Sequence, residues 1–164
     1  MEKTTGPMGL PAFGGLLSKR PDGFALLQGV EGSSVKGTVR LYQTKYGVVI
    51  SVTVSGLPEN RTDCTPSMFA FHIHEGSDCS GDASGSGGHY NPLACPHPAH
   101  AGDAPPLFGN NGLAFSAFLT DRFTVREVLG RAAVLHGGPD DFATQPSGAA
   151  GAPIACGVIR PVRQ

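Results

Sequence analysis

An antiparallel all-β fold, a sandwich or barrel, is the class this sequence predicts, and three observations carry the prediction. Short runs of alternating apolar and polar residues recur between positions 24 and 159, turn-forming residues separate them, and no stretch has the period of a long amphipathic helix. Two joints, 76–112 and 137–153, exceed the roughly 12–15 residues beyond which a structureless connection is uncommon unless it is functional. The scaffold is therefore expected to carry two long functional loops.

The length of 164 residues and 40% hydrophobic content suit one domain, placed at 24–164, after a lead-in at 1–23. That lead-in holds Gly6, Pro7, Gly9, Pro11, Gly14, Gly15 and Pro21 without a sustained period and is read as irregular. Residues 24–30 and 36–43 form the first two expected strands, split by Glu31-Gly32-Ser33-Ser34. In the second, Val39 and Leu41 share one face and Arg40 takes the other. The run 46–54 sets Val48, Ile50, Val52 and Val54 against Val49, Ser51 and Thr53, and Ser55-Gly56-Leu57-Pro58 stops it. Aromatic and β-branched content makes 68–74 the next strand. Residues 113–119, 132–136 and 154–159 complete the strands, and 124–129 reads as a short helical turn with Val125 and Val128/Leu129 on one face.

Charge and cysteine usage exclude several classes. A net charge of −1 without any basic run argues against a nucleic-acid surface, and no apolar run approaches the 18 residues of a membrane span. The first residues lack the apolar core of a leader, so a cytoplasmic location is expected, with an exported form left open. Four cysteines, Cys64, Cys79, Cys95 and Cys156, contain no Cys-x-x-Cys pair, which disfavours a thiolate zinc knuckle or a redox motif.

Histidine distribution is the functional signal. Of six histidines, five lie between His72 and Asp103, and His136 opens the second long loop. Residues two apart on a strand project to one face, so His72 and His74 present two imidazoles together while Ile73 enters the opposite layer. His89 and His136 can complete a four-nitrogen set suited to copper(II). His97, His100 and Asp103 supply two nitrogens and a carboxylate, which becomes a tetrahedral zinc set when one nitrogen is added. With two ring nitrogens, His89 could serve both metals. Asp140 is either a loop-capping carboxylate or an acceptor that orients ligand imidazoles.

The runs Phe71-His72-Ile73-His74-Glu75, Gly88-His89-Tyr90-Asn91-Pro92, His100-Ala101-Gly102-Asp103, Val134-Leu135-His136 and Ala155-Cys156-Gly157-Val158-Ile159 resemble those of the copper/zinc superoxide dismutase family, bacterial type, across roughly 36–159. The resemblance implies a Greek-key β-sandwich or barrel, copper on His72, His74, His89 and His136, and zinc on His89, His97, His100 and Asp103. It implies Asp140 as the link between the free nitrogens of His72 and His97, and a Cys79–Cys156 disulfide. Cys64 and Cys95 are then left over, and a second disulfide between them is expected. The implied activity converts superoxide to dioxygen and hydrogen peroxide. The partner would be superoxide, a small anion, with no nucleic acid or membrane, and homodimerisation stays open.

One departure bears on the activity. The family usually has an arginine three residues before the cysteine of the Cys-Gly-Val-Ile run, where it draws in the anion, and this chain has Pro153. Arg122, Arg126, Arg131 and Arg160 are candidates to replace it, each with surface solvation as the expected role. A dismutase-like copper/zinc-binding protein with weak or no turnover is the alternative reading. A zinc hydrolase, suggested by His72-Ile73-His74 followed by Asp78, is disfavoured because no crossover helices are expected and no histidine follows in that motif.

Overall fold

Alternation becomes a meander in the first three strands, β1 (Gly23–Gly29), β2 (Lys36–Thr44) and β3 (Gly47–Ser55), each antiparallel to the next. The computed structural model describes residues 13–162 apart from 60, 61 and 63. Val39, Leu41, Val48, Ile50, Val52 and Val54 all face inward and are fully buried, as their spacing predicts.

The remaining strands are β4 (Met68–Phe69), β5 (Phe71–His74), β6 (Leu107–Phe108), β7 (Leu113–Thr120), β8 (Ala132–His136), β9 (Pro153–Val158) and β10 (Arg160–Pro161). One curled antiparallel sheet runs β5-β8-β9-β1-β2-β3-β7, with β10 on β1, and β4 pairs β6 apart from it. After β3 the chain crosses to β5 at the far edge, returns through a long loop to β7 beside β3, then crosses again to β8 beside β5. These over-and-back crossings make the Greek-key barrel and put both long loops at the β5-β8-β9 end.

The single strand predicted at 68–74 is two. Met68 and Phe69 pair with Phe108 and Leu107, whereas Phe71–His74 pairs with β8, because Ala70 turns between them and exchanges bonds with Gly138 and His136. The turn predicted at 124–129 is α2 (Val125–Val128), where the Glu127 carboxylate accepts the Thr124 backbone N–H at 2.6 Å.

Part of the lead-in is also ordered. Residues 1–12 lie outside the described residues, but Phe13–Leu17 is a short helix, α1. Its Leu16 and Leu17 cover Tyr42 and Val49 on the outer sheet face, and the Tyr42 hydroxyl donates to the Leu17 carbonyl. Covering that apolar pair is the physical reason the segment docks on the sheet. Among the described residues no helix is long and apolar enough to cross a membrane.

Candidate metal centre

Strand β5 supplies the rigid base of the site. Its Ile73 enters the main core, and the loop after it doubles back to pair with the strand: Tyr90 N–H donates to Ile73 O at 2.8 Å, and Ile73 N–H to Gly102 O at 2.9 Å. Gly102 fits because a Cβ there would lie 2.1 Å from the Ile73 carbonyl oxygen. This return brings Asp103 opposite His72 and His89 opposite His74. On the other side, β8 runs antiparallel to β5 and ends at His136, where a register shift against β9 sets His136 opposite Pro153.

Two clusters result. His72, His74, His89 and His136 form one and His89, His97, His100 and Asp103 the other, each with ligand atoms within 4.8 Å of one another. All seven residues are buried.

Hydrogen bonds decide which nitrogen of each ring is bare. His74 donates from Nδ1 to the Gly87 carbonyl at 2.7 Å, and His136 from Nδ1 to the Gly151 carbonyl at 2.9 Å. Their Nε2 lone pairs then face each other at 3.2 Å. His72 donates from Nε2 to Asp140 at 2.8 Å, which leaves Nδ1 bare. His72 Nδ1 and His89 Nε2 are buried without a partner. Four bare imidazole nitrogens thus converge where no described residue satisfies them, an arrangement that is unfavourable unless a cation accepts their lone pairs. The all-imidazole set fits a borderline divalent metal such as copper(II).

The second cluster centres on Asp103. One carboxylate oxygen lies 2.6 Å from His89 Nδ1 and 3.4 Å from His100 Nδ1, and the other lies 3.1 Å from His97 Nδ1. Three nitrogens and one carboxylate match the tetrahedral preference of zinc. Asp140 spans the clusters, taking His72 Nε2 on one oxygen and His97 Nε2 on the other at 2.9 Å. Of the two readings spacing left open for Asp140, it fills both: the same carboxylate also accepts the Phe142 N–H at 2.7 Å.

Electrostatics keep the rings ready for a metal. Burial, reinforced by neighbouring histidines, drives His72 down to about 2, and burial takes His74 down to about 3 against the opposing Gly87 bond. His136 is lowered for the same first reason. Burial alone would raise Asp103, but its hydrogen bond with His89 and the surrounding imidazoles outweigh that and hold it at about 2. Neutral imidazoles and an ionised carboxylate are the forms a metal needs.

A cavity of about 570 Å³ opens above the first cluster, with His74, His89, His136 and Pro153 on its walls. Glu75 is the carboxylate on that lining, and among the described residues no lysine or arginine belongs to it. The arginines considered as substitutes are employed elsewhere. Arg122 donates to the backbone carbonyls of His100, at 2.9 Å, and Asp103. Arg131 donates to the Glu75 carbonyl at 2.9 Å and stacks 4.0 Å above the Tyr90 ring. Both fasten the ligand loop, a task the sequence does not reveal because the acceptors are backbone atoms. Arg126 and Arg160 are exposed. Asp78 is exposed and caps its own turn through Ser80, away from both clusters.

Cys79 and Cys156 are bonded, with Cα atoms 5.5 Å apart, and the bridge packs on Val30, Ala83, Ala132 and Val134. The expected Cys64–Cys95 bridge does not form, and both are free thiols. Each is held in its own local turn: Cys64 between the paired Thr62 and Thr65, Cys95 by the Asn91 side chain, which binds its N–H and its carbonyl.

Comparisons with known proteins agree with this geometry. Residues 35–159 match the family model for copper/zinc superoxide dismutase. A Cu-Zn superoxide dismutase of Photobacterium leiognathi is 36% identical over 76% of this chain and 78% of its own. One from Aquifex aeolicus (strain VF5) is 38% identical over 77% of this chain and 80% of its own. A crystal structure of a SOD-like protein from Bacillus subtilis superposes with a TM-score of 0.69 at 28% identity, covering 82% of this chain and 96% of that one. With its barrel, its two histidine clusters suited to copper and zinc, and its loop disulfide, the chain belongs to the copper/zinc superoxide dismutase family.

Proposed function

We propose that this chain dismutes superoxide, two superoxide ions and two protons giving one dioxygen and one hydrogen peroxide. The observation that carries the reading is the convergence of four bare, buried imidazole nitrogens beneath an open cavity that three of the rings, His74, His89 and His136, line. His72, His74, His89 and His136 would hold copper, and His89, His97, His100 and Asp103 would hold zinc. Bound there, copper supplies reversible one-electron exchange with superoxide and zinc a fixed positive charge beside it.

The protein's own groups do the rest. Gly87 and Gly151 carbonyls hold His74 and His136 in the tautomer that points Nε2 inward. Asp140 holds His72 and His97 in the opposite tautomer, taking Nε2 of each ring so that Nδ1 points inward, and thereby ties the two clusters together. His89 is the imidazole common to the two sets, and it lines the cavity. Its Nε2 is the position at which the protein can hold a proton and pass it to reduced oxygen.

The test is superoxide decay with protein loaded with both metals, against protein carrying zinc only and with metal content measured. Equal rates would refute the enzymatic reading. A second reading, a copper/zinc-binding protein with slow turnover, is favoured by Pro153 on a cavity wall that, among the described residues, has no lysine or arginine. It predicts full metal uptake with a rate near that of the zinc-only form.

A further inference from the structure

His97 is the ligand that the second long loop grips most extensively. Asp140 takes its Nε2 at 2.9 Å. Gly148 lies against that contact so closely that a Cβ would fall 2.0 Å from Asp140 Oδ1 and 2.8 Å from His97 Nε2. From the same loop, Gln145 reaches the His97 backbone with both ends of its amide. Its Oε1 accepts the His97 N–H at 2.9 Å and its Nε2 donates to the His97 carbonyl at 2.7 Å.

A paired bond of this kind fixes direction as well as distance. One hydrogen bond lets a backbone segment swing about it, whereas two antiparallel bonds to the same residue hold its peptide planes as a strand neighbour would. The Gln145 side chain belongs to neither ligand set, is exposed, and hydrogen-bonds to the His97 backbone and, at 3.4 Å, to the Ala143 carbonyl. Its two bonds to His97 are therefore separable from the packing of the core. Arg122 holds the other end of the segment by the carbonyls of His100 and Asp103. Between them the donors of 97–103 are suspended from two separate parts of the fold.

We infer that Gln145 is a positioning residue for the second cluster: by clasping the His97 backbone it aims His97 Nδ1 at Asp103 and so sets how tightly that cluster holds zinc. This rests on the assignment of zinc to His89, His97, His100 and Asp103. Outer partners of metal ligands change affinity about 10- to 100-fold on removal, and loss of both clasp bonds is expected within that range. Copper affinity at the first cluster should change much less, because the clasp bonds of Gln145 go to His97, which is not one of its four histidines.

The experiment is zinc competition against a chromophoric chelator on the full chain, with cobalt(II) absorption of the same site as the spectroscopic readout. The variants are Gln145→Ala, Gln145→Glu and, as a control in the same loop, Thr144→Val, which removes a hydroxyl bond to Asp141 and none to a ligand. Gln145→Ala should release zinc at least tenfold more readily and broaden the cobalt bands, with the metal-free melting temperature unchanged. Gln145→Glu keeps the acceptor for the His97 N–H but sets a carboxylate against its carbonyl, so it should not restore affinity. Thr144→Val should match the parent. Affinity and cobalt spectrum of Gln145→Ala indistinguishable from the parent's would overturn the inference, as would an equal loss in Thr144→Val. A parent chain that takes up no zinc would overturn the site assignment and the inference with it.

Discussion

Replacing Pro153 by arginine tests the electrostatics of the cavity directly. Pro153 opens β9 opposite His136 and lines the cavity, so a longer side chain there can enter it without crossing the core. Arginine also adds a backbone N–H where proline has none, and the position does not require positive φ. Among the described residues the parent cavity presents Glu75 and no lysine or arginine, so beyond the metals themselves no cationic side chain attracts an incoming anion. A guanidinium 4 Å from superoxide contributes about 1 kcal/mol at water-like dielectric and about 4 kcal/mol at an effective value near 20. The cavity is open to solvent, which favours the lower half of that range and a gain of roughly 5- to 50-fold in capture of the anion. The assay is direct superoxide decay at matched copper content over a series of ionic strengths. The parent rate should be flat or rise slightly with salt as the Glu75 carboxylate is screened, whereas Pro153→Arg should be faster at low salt and fall as salt increases. If the variant stays within twofold of the parent, or if the parent rate already falls steeply with salt, the claim that this wall limits capture is wrong.

Other outcomes follow from the same geometry. His89→Ala should lower the content of both metals after dialysis, whereas Asp103→Ala should act chiefly on zinc, and plasma emission spectrometry of the two variants decides it. Metal-free protein should lose stability as pH falls below about 6.5, because His72 and His74 are held far below their unfolded value and the unfolded chain binds more protons. At pH 5.5 those two groups together remove about 3 kcal/mol, readable as a lower urea midpoint, and a midpoint constant from pH 7.5 to 5.5 would refute the assigned depressions. Cutting the Cys79–Cys156 bridge with Cys79→Ser and Cys156→Ser releases a loop of 77 residues in sequence separation. The chain-entropy effect is about 4.5 kcal/mol, visible as a fall in melting temperature that reductant alone should reproduce in the parent.

Much of this molecule could be read from local pattern, and the physical reason is that strand alternation and ligand type are local properties. The spacing of Val48, Ile50, Val52 and Val54 and the His-x-His of β5 follow from a two-residue period and need no knowledge of the rest of the chain. So do the ligand types: imidazoles and a carboxylate in motif order suit copper and zinc whichever way the loop runs. Tertiary structure decided what depends on where distant backbone arrives. It divided 68–74 at Ala70, because only the folded chain brings Gly138 there to take the bond. It left Cys64 and Cys95 apart, although leftover cysteines invite pairing, since each is held by its own turn. It also chose the tautomers of His74 and His136 through the carbonyls of Gly87 and Gly151, and gave Arg122, Arg131 and Gln145 their grip on the ligand loop through backbone atoms. Every residue carries a backbone carbonyl, so no sequence pattern marks the one that will be used. The fold alone makes that selection, by the distance at which it sets each carbonyl from the ring or guanidinium that needs it.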